Sequence, residues 1–337
     1  MPSARKIVVV GGSAGGIDAL SRVLEGVSAD IPAALLIVVH MARTAPSALT
    51  EILGRVARLP VETARDGAAL EAGHAYVAPP DAHLLVEEGA VRLSHGPREN
   101  HHRPAADPLF RAAARAFGPR AIGVILSGNL DDGAAGLHAI HRAGGITIVQ
   151  SPEDALFRGM PSSAIETSPI DHVVPASEIG ALLYRLARAE PRSRTEERTL
   201  PIPEVDEIPA GGVGDLGGAR TRRRDGPPSE FVCPDCGGTL YELTEGGLER
   251  FRCRVGHGYS LESLNAIQQE RIEDALWYSL RTLQEHGDTS RRAAVRARAQ
   301  GLDHVARAYE ERAGDSDRQA ESVRSALVKM TSKGGRA

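Results

Sequence analysis

The segments KIVVVGG, AALLIVVHM, HAYVAPP, AIGVILSG, GITIVQ and DHVVPAS are short apolar runs rich in β-branched residues. Continuous runs of this kind predict strands covered on both faces, as in a parallel sheet. Between them, IDALSRVLEGV, APSALTEILGRV, DPLFRAAARAF and GAAGLHAIHRAG place apolar residues at helical spacing. Alternation of strand and helix over residues 5–190, with glycine-marked turns, predicts an α/β fold with a doubly wound, mostly parallel sheet. One stretch breaks the pattern. In HLLVEEGAVRLSHG two apolar runs flank Glu88-Gly89, so one antiparallel hairpin is expected.

The pattern changes after residue 190. Residues 191–230 hold six prolines, six glycines and many charges, including Arg220, Arg222, Arg223 and Arg224. Such a segment buries too little apolar surface to offset its chain entropy and reads as a flexible linker. Residues 231–260 contain every cysteine of the chain, and residues 261–337 are helical in pattern. There Ile272, Ala275, Leu276, Ser279, Leu280 and Leu283 share one face, and a second stripe after Gly287 runs through Val295, Ala299, Leu302, Val305 and Tyr309. A helical hairpin or a dimerising coiled coil is expected, with self-association or partner docking as the way to bury the stripe. The division is therefore a first domain at 1–190, a linker at 191–230, a small module at 231–260 and a tail at 261–337.

Composition adds limits. The chain has 337 residues and a net charge of −4, so no basic field argues for nucleic acid. No run reaches the roughly 18 apolar residues of a membrane span, and the N-terminus lacks a signal-peptide core. A cytoplasmic protein that is not membrane-inserted is expected.

Gly11-Gly12-Ser13-Ala14-Gly15 follows the first strand and opens the first helix. A G-x-S-x-G turn in that context projects a serine from the C-terminal edge of the sheet. The following helix N-terminus offers unpaired N–H groups that can hold an oxyanion. The rival reading, a phosphate- or nucleotide-binding glycine loop, is disfavoured because Ser13 stands where G-x-G-x-x-G needs its second glycine and no Walker lysine follows. A nicotinamide-dependent oxidoreductase is accordingly disfavoured. A serine needs a base, and the base needs orienting. His40 ends the second strand and can share a crevice with Ser13, since neighbouring strand ends meet there. The third group comes from Asn129-Leu130-Asp131-Asp132-Gly133, where either aspartate could orient the base or cap a helix.

These motifs carry a resemblance. GGSAGG, then VVHM, RPAADPLF, ILSGNLDDGAAG and FRGMP stand in the order found in the catalytic domain of CheB-type protein-glutamate methylesterases. The resemblance implies a nucleophile at Ser13, a base at His40 and an orienting Asp132, the aspartate directly before Gly-Ala-Ala-Gly. It implies removal of methyl esters from glutamyl residues of a methyl-accepting chemoreceptor or similar methylated signalling protein, and deamidation of glutamine by the same route. Backbone groups near Ala14 and Asn129 are oxyanion candidates; Arg103 and Met160 are candidates for the substrate side. The sequence departs from the family at Ala14, often threonine, at Ala105, often serine, and at Asp131, commonly asparagine. No catalytic cofactor is implied. The first strand begins near Lys6, so no attached receiver domain, and no control through its phosphorylation, is expected. The alternative is a CheB-like binding module without activity. His83, His101 and His102 read mainly as loop or surface histidines.

Cys233-x2-Cys236-x16-Cys253-x3-His257 has metal-ligand spacing. Two tight pairs brought together across a hairpin give a tetrahedral donor set that suits a structural zinc, with no position left open for catalysis. The segment also resembles the zinc-ribbon-like extension of stand-alone CheB-like proteins.

Overall fold

The computed structural model describes residues 5–41, 48–87, 89–191, 226–245 and 247–334. The basic run at Arg220–Arg224 and nearly all of the expected linker lie outside the described residues. The chain separates into two compact units, 1–264 and 265–337.

The first unit is built on β1 (Lys6–Gly12), α1 (Gly16–Gly26), β2 (Ala33–Val39), α2 (Leu49–Val56), β3 (Val61–Thr63) and β4 (Ala75–Val77). A hairpin of β5 (His83–Glu87) and β6 (Ala90–Ser94) follows. Then come α3 (Ala106–Phe117), β7 (Ala121–Ile125), α4 (Ala134–Arg142), β8 (Ile146–Gln150), α5 (Gly159–Thr167), β9 (His172–Val174) and α6 (Ala176–Arg188). Seven strands form one sheet in the order β3-β4-β2-β1-β7-β8-β9. Every pairing in it is parallel. The hairpin pairs Glu87 with Ala90, as Glu88-Gly89 predicts, and makes a two-stranded sheet of its own.

The alternation of β1 divides the core. Ile7 and Val9 pack with α3 and α4, and Val8 and Val10 pack with α1 and α6, all completely or almost completely buried. β1 and β2 are buried along their whole length, which is why their sequences show no polar alternation. The edge strand β3 is a seventh strand that the pattern does not show. Its three residues are partly or fully exposed and form no apolar run.

β10 (Pro228–Val232), β11 (Thr239–Glu245), β12 (Leu248–Cys253) and β13 (Gly258–Ser260) form an antiparallel sheet in that order, so the ribbon begins at Pro228, inside the expected linker 191–230, because β10 pairs with β11 there. A linker of this composition suggests a module that touches its neighbour little. The ribbon is instead packed on the α/β domain through a buried polar seam described below.

The tail is a helical hairpin. α7 (Leu261–Ala299) runs straight through Gly287, and the chain turns at Gly301, whose φ is +72°. Gly287 is therefore not the break that the two stripes suggest. A Cβ there would lie 3.6 Å from the Ser316 Cβ of α8 (Asp303–Gly334), an ordinary contact between the two helices. Leu280, Ala320 and Leu327 are buried between the helices, packed by Leu276, Leu283 and Val323. Ile272 and Val295 of the expected stripes are exposed.

Candidate active site and candidate metal centre

The C-terminal ends of β1, β2 and β7 lie together at the centre of the sheet. Gly12 pairs with Val39, and the His40 N–H donates to the Gly12 carbonyl at 3.2 Å. Ser13 and His40 thus leave adjacent strands at the same level. The Ser13 N–H donates to Ser127 O at 3.0 Å, which ties the serine turn to the end of β7. Gly15 follows with φ +70°, and a Cβ on it would lie 2.7 Å from Ser127 Oγ. Only glycine fits both the left-handed backbone and that space. Ser127 Oγ donates to Ala14 O at 2.8 Å and accepts from the Phe157 N–H at 2.9 Å.

His40 Nε2 lies 2.7 Å from Asp132 Oδ2, and both side chains are nearly buried. Asp132 Oδ2 also accepts the Ala106 N–H at 2.6 Å, and Oδ1 accepts Asn100 Nδ2 at 3.0 Å. Burial alone would raise the pKa of this carboxyl. The hydrogen bond and charge of His40, with the Ala106 N–H, outweigh burial and hold it well below the ordinary range. Asp131 faces elsewhere: its Oδ1 accepts the hydroxyls of Ser260 at 2.8 Å and Ser263 at 3.0 Å, and burial raises its pKa. Asp132 is the aspartate on the histidine. With Nε2 engaged by Asp132, Nδ1 is the ring nitrogen of His40 that remains for another partner.

The other candidates separate. The N–H groups of Ser13 and Gly128 are spent on Ser127 O and Phe157 O, which leaves Ala14 and Asn129 as the next donors along each turn. Met160 is fully buried, and a Cβ on Gly128 would lie 2.1 Å from its sulfur and 3.0 Å from Ser13 Cβ. Met160 packs beneath the serine turn rather than on the surface. The Arg103 guanidinium is engaged by Asp81 at 2.7 Å and by the carbonyls of His95 and Gly96, and it anchors a loop.

The family description CheB methylesterase matches residues 8–183, just over half of the chain. The chain belongs to the CheB methylesterase family. A protein-glutamate methylesterase/protein-glutamine glutaminase of Anaeromyxobacter dehalogenans is 41% identical over 54% of this chain and 54% of its own. One from Chromohalobacter salexigens is 40% identical over 57% of this chain and 55% of its own. The chain spans about half the length of the curated relatives it matches. The crystal structure of the Thermotoga maritima CheB methylesterase catalytic domain superposes with a TM-score of 0.52 at 34% identity, covering 54% of this chain and 98% of that one. The ribbon and the helical tail lie beyond the matched residues.

Within the CheB methylesterase segment, several contributors escape sequence reasoning. His102 is no surface histidine: its ring stacks on His40, centroids 3.8 Å apart and planes 16° from parallel. Burial, and then the neighbouring His40 charge, push it down to about 3, so the stacked ring is neutral. Glu99, Asn100 and Asp107 are buried around Asp132; Asp107 lies in the RPAADPLF motif, while nothing in the local pattern marks Glu99 and Asn100.

His83 is also buried. Its Nε2 meets Pro97 O at 3.0 Å, and its Nδ1 accepts the Ala105 N–H at 3.3 Å. Burial lowers it to about 4 from 6.5. A histidine depressed in the folded state adds stability above its unfolded pKa, and that stability is lost as pH falls towards the folded value. His83 therefore contributes about 3 kcal/mol at neutral pH that disappears between pH 6.5 and 4. Asp107, pushed up to about 7 by burial, works with the opposite sign in much of that window. The difference between wild type and His83→Gln isolates the histidine. Urea titrations across pH 4–7 should show the variant's stability rising less steeply with pH, and parallel curves would exclude this role.

The ribbon brings Cys233, Cys236, Cys253 and His257 together, one ligand atom of each within 4.8 Å of all the others. Cys236 Sγ lies 3.6 Å from Cys253 Sγ, and His257 Nδ1 lies 3.4 Å from Cys253 Sγ and 3.6 Å from Cys233 Sγ. Thiolates at the usual 2.3 Å from a tetrahedral metal stand roughly 3.8 Å apart, so the donor set fits a closed four-ligand site. No described helix is long and apolar enough to cross a membrane.

Proposed function

We propose that the chain is a serine hydrolase that removes methyl esters from protein glutamyl residues and also deamidates protein glutamine. The observation that carries this reading is the 2.7 Å contact of His40 with Asp132 beside Ser13, at three neighbouring strand ends. The names of the relatives support the two substrates. In the proposed reaction Ser13 Oγ attacks the side-chain carbonyl while His40 Nδ1 takes the serine proton. Asp132 stabilises the imidazolium, and the N–H groups of Ala14 and Asn129 face the developing oxyanion. His40 returns the proton to the leaving methoxide, or to the amine when the substrate is glutamine. Methanol or ammonia departs. Water activated by His40 then opens the acyl-enzyme, and glutamate and Ser13 are regenerated.

The substrate proposed is a methyl-accepting chemoreceptor or a similar methylated signalling protein in the cytoplasm. Methanol release from methylated receptor membranes tests it. Wild type should release methanol and Ser13→Ala should not; no release by an intact, serine-reactive wild type would exclude this substrate.

The Cys3His group is proposed to hold a structural zinc, whose chemistry is to lock the two ligand pairs of the ribbon. Metal analysis of the purified full chain should give about one zinc per chain, and Cys236→Ser should lower that value. Self-association through the exposed face of α7 and α8 is proposed as well, with sedimentation of the full chain as its measurement.

A further inference from the structure

We propose that Arg250 and Ser260 of the ribbon are positioning residues for the hydrolytic site, holding Asp132 and His40 in register through the loop 98–103. The inference rests on the reading of Ser13, His40 and Asp132 as the triad.

That loop touches the triad from two sides. Asn100 donates to Asp132 Oδ1 at 3.0 Å, and His102 stacks on His40 at 3.8 Å. The opposite side of the loop belongs to the ribbon. The Asn100 N–H donates to Gly258 O at 2.8 Å, the Gly258 N–H donates to Arg98 O at 3.1 Å, and the Ser260 N–H donates to Asn100 Oδ1 at 3.2 Å. Asn100 has φ +50°, a conformation that is held rather than preferred. Its side chain joins β13 to the triad carboxylate.

Charge supports the same assignment. Glu99, Asp107 and Asp132 are three buried carboxylates in one connected network. Carboxylates in such surroundings need paired cations. The α/β domain supplies Arg111, 3.2 Å from Glu99 and 4.0 Å from Asp107. The ribbon supplies Arg250, which donates to Glu99 Oε1 at 2.6 Å and stands 3.2 Å from Asp107 Oδ2. Arg252 adds a weaker contact to Glu99 at 3.5 Å. Asp107 in turn accepts from Asn100 Nδ2 at 3.2 Å and from the Gly136 N–H at 2.7 Å, so its placement bears on the same amide that holds Asp132. Loss of Arg250 leaves Asp107 with the distant Arg111 and Glu99 with Arg111 and the weaker Arg252, and frees the Asn100 amide to follow Asp107.

The test uses the full, metal-loaded chain with a small aryl ester, and counts active sites by fluorophosphonate labelling. Arg250→Gln should lower kcat per labelled site at least tenfold with KM within about twofold, and zinc content should stay at the wild-type value. Arg250→Lys should recover most of the loss. Asn100→Gly, which keeps the backbone conformation accessible, should lower kcat in the same way. The double variant should lose no more than the worse single variant, because both act along one path. Glu249→Gln, on the exposed side of β12, is the control that stays at wild-type activity. Should Arg250→Gln fail to fold, Arg250→Lys decides: a partial loss of kcat per labelled site is expected, and an unchanged kcat would overturn the proposal. Unchanged turnover per site in the variants, or strictly additive losses, would overturn the proposal. Turnover that survives Ser13→Ala would instead overturn the triad reading beneath it.

Discussion

Ser13→Ala should abolish measurable ester hydrolysis, a loss of about 10⁶-fold in kcat if the serine, histidine and aspartate act as one unit. The variant should keep its fold. Ser13 is only partly buried, and the turn around it is held by backbone bonds, from its own N–H to Ser127 O and from the Gly16 N–H to Ser13 O at 2.9 Å. Neither bond uses the hydroxyl. A methyl in place of the hydroxymethyl also removes nothing from the packing of Gly128 against Met160. Fluorophosphonate labelling, a thermal melt and turnover of a small ester read the three statements separately. Hydrolysis near the wild-type rate, with labelling retained, would show that another residue is the nucleophile.

Asp132→Asn carries the second large effect, a fall of about 10³–10⁴ in kcat. Asp132 accepts four donors: His40, the Asn100 amide, the Ala106 N–H and, at 3.3 Å, the Asp107 N–H. An asparagine can answer those donors with one oxygen only. Its NH2 must then face either His40 or the backbone, so the imidazole either adopts the wrong tautomer or loses its orientation. The imidazolium formed in the transition state also loses its counter-charge. Asp131→Asn should cost at least tenfold less, since Asp131 accepts two serine hydroxyls and its carboxyl is already biased by burial towards the neutral form. Steady-state rates for the two variants decide the matter, and the reverse order of severity would reassign the orienting aspartate.

Much of this was legible in sequence because it is local. β1 and β2 are fully buried and read as uninterrupted apolar runs, so their ends, and with them Ser13 and His40, could be placed side by side. The cysteine spacing is local too, and the four ligand atoms do converge. What escaped depends on long-range pairing. Arg250 meets Glu99 across 151 positions, and no periodicity within a window of the chain marks either residue. His102 looks like one of a run of polar loop residues until β2 brings His40 against its ring. Gly287 misled for the opposite reason. A glycine inside a polar helix resembles a stop, while α7 continues through Gly287 and the turn comes at Gly301, whose φ is +72°. The strand β3 is too short and too exposed to register as a run.

The seam between ribbon and α/β domain has a consequence for where the molecule can be divided. Likeness to relatives delimits residues 8–183. Neutrality delimits a longer stretch, because Arg250 answers acids that lie inside that span. A fragment cut after α6 would keep Ser13, His40 and Asp132 and shed Arg250, leaving Arg111 to serve both Glu99 and Asp107. What a family shares and what must be inherited together are different segments of this chain.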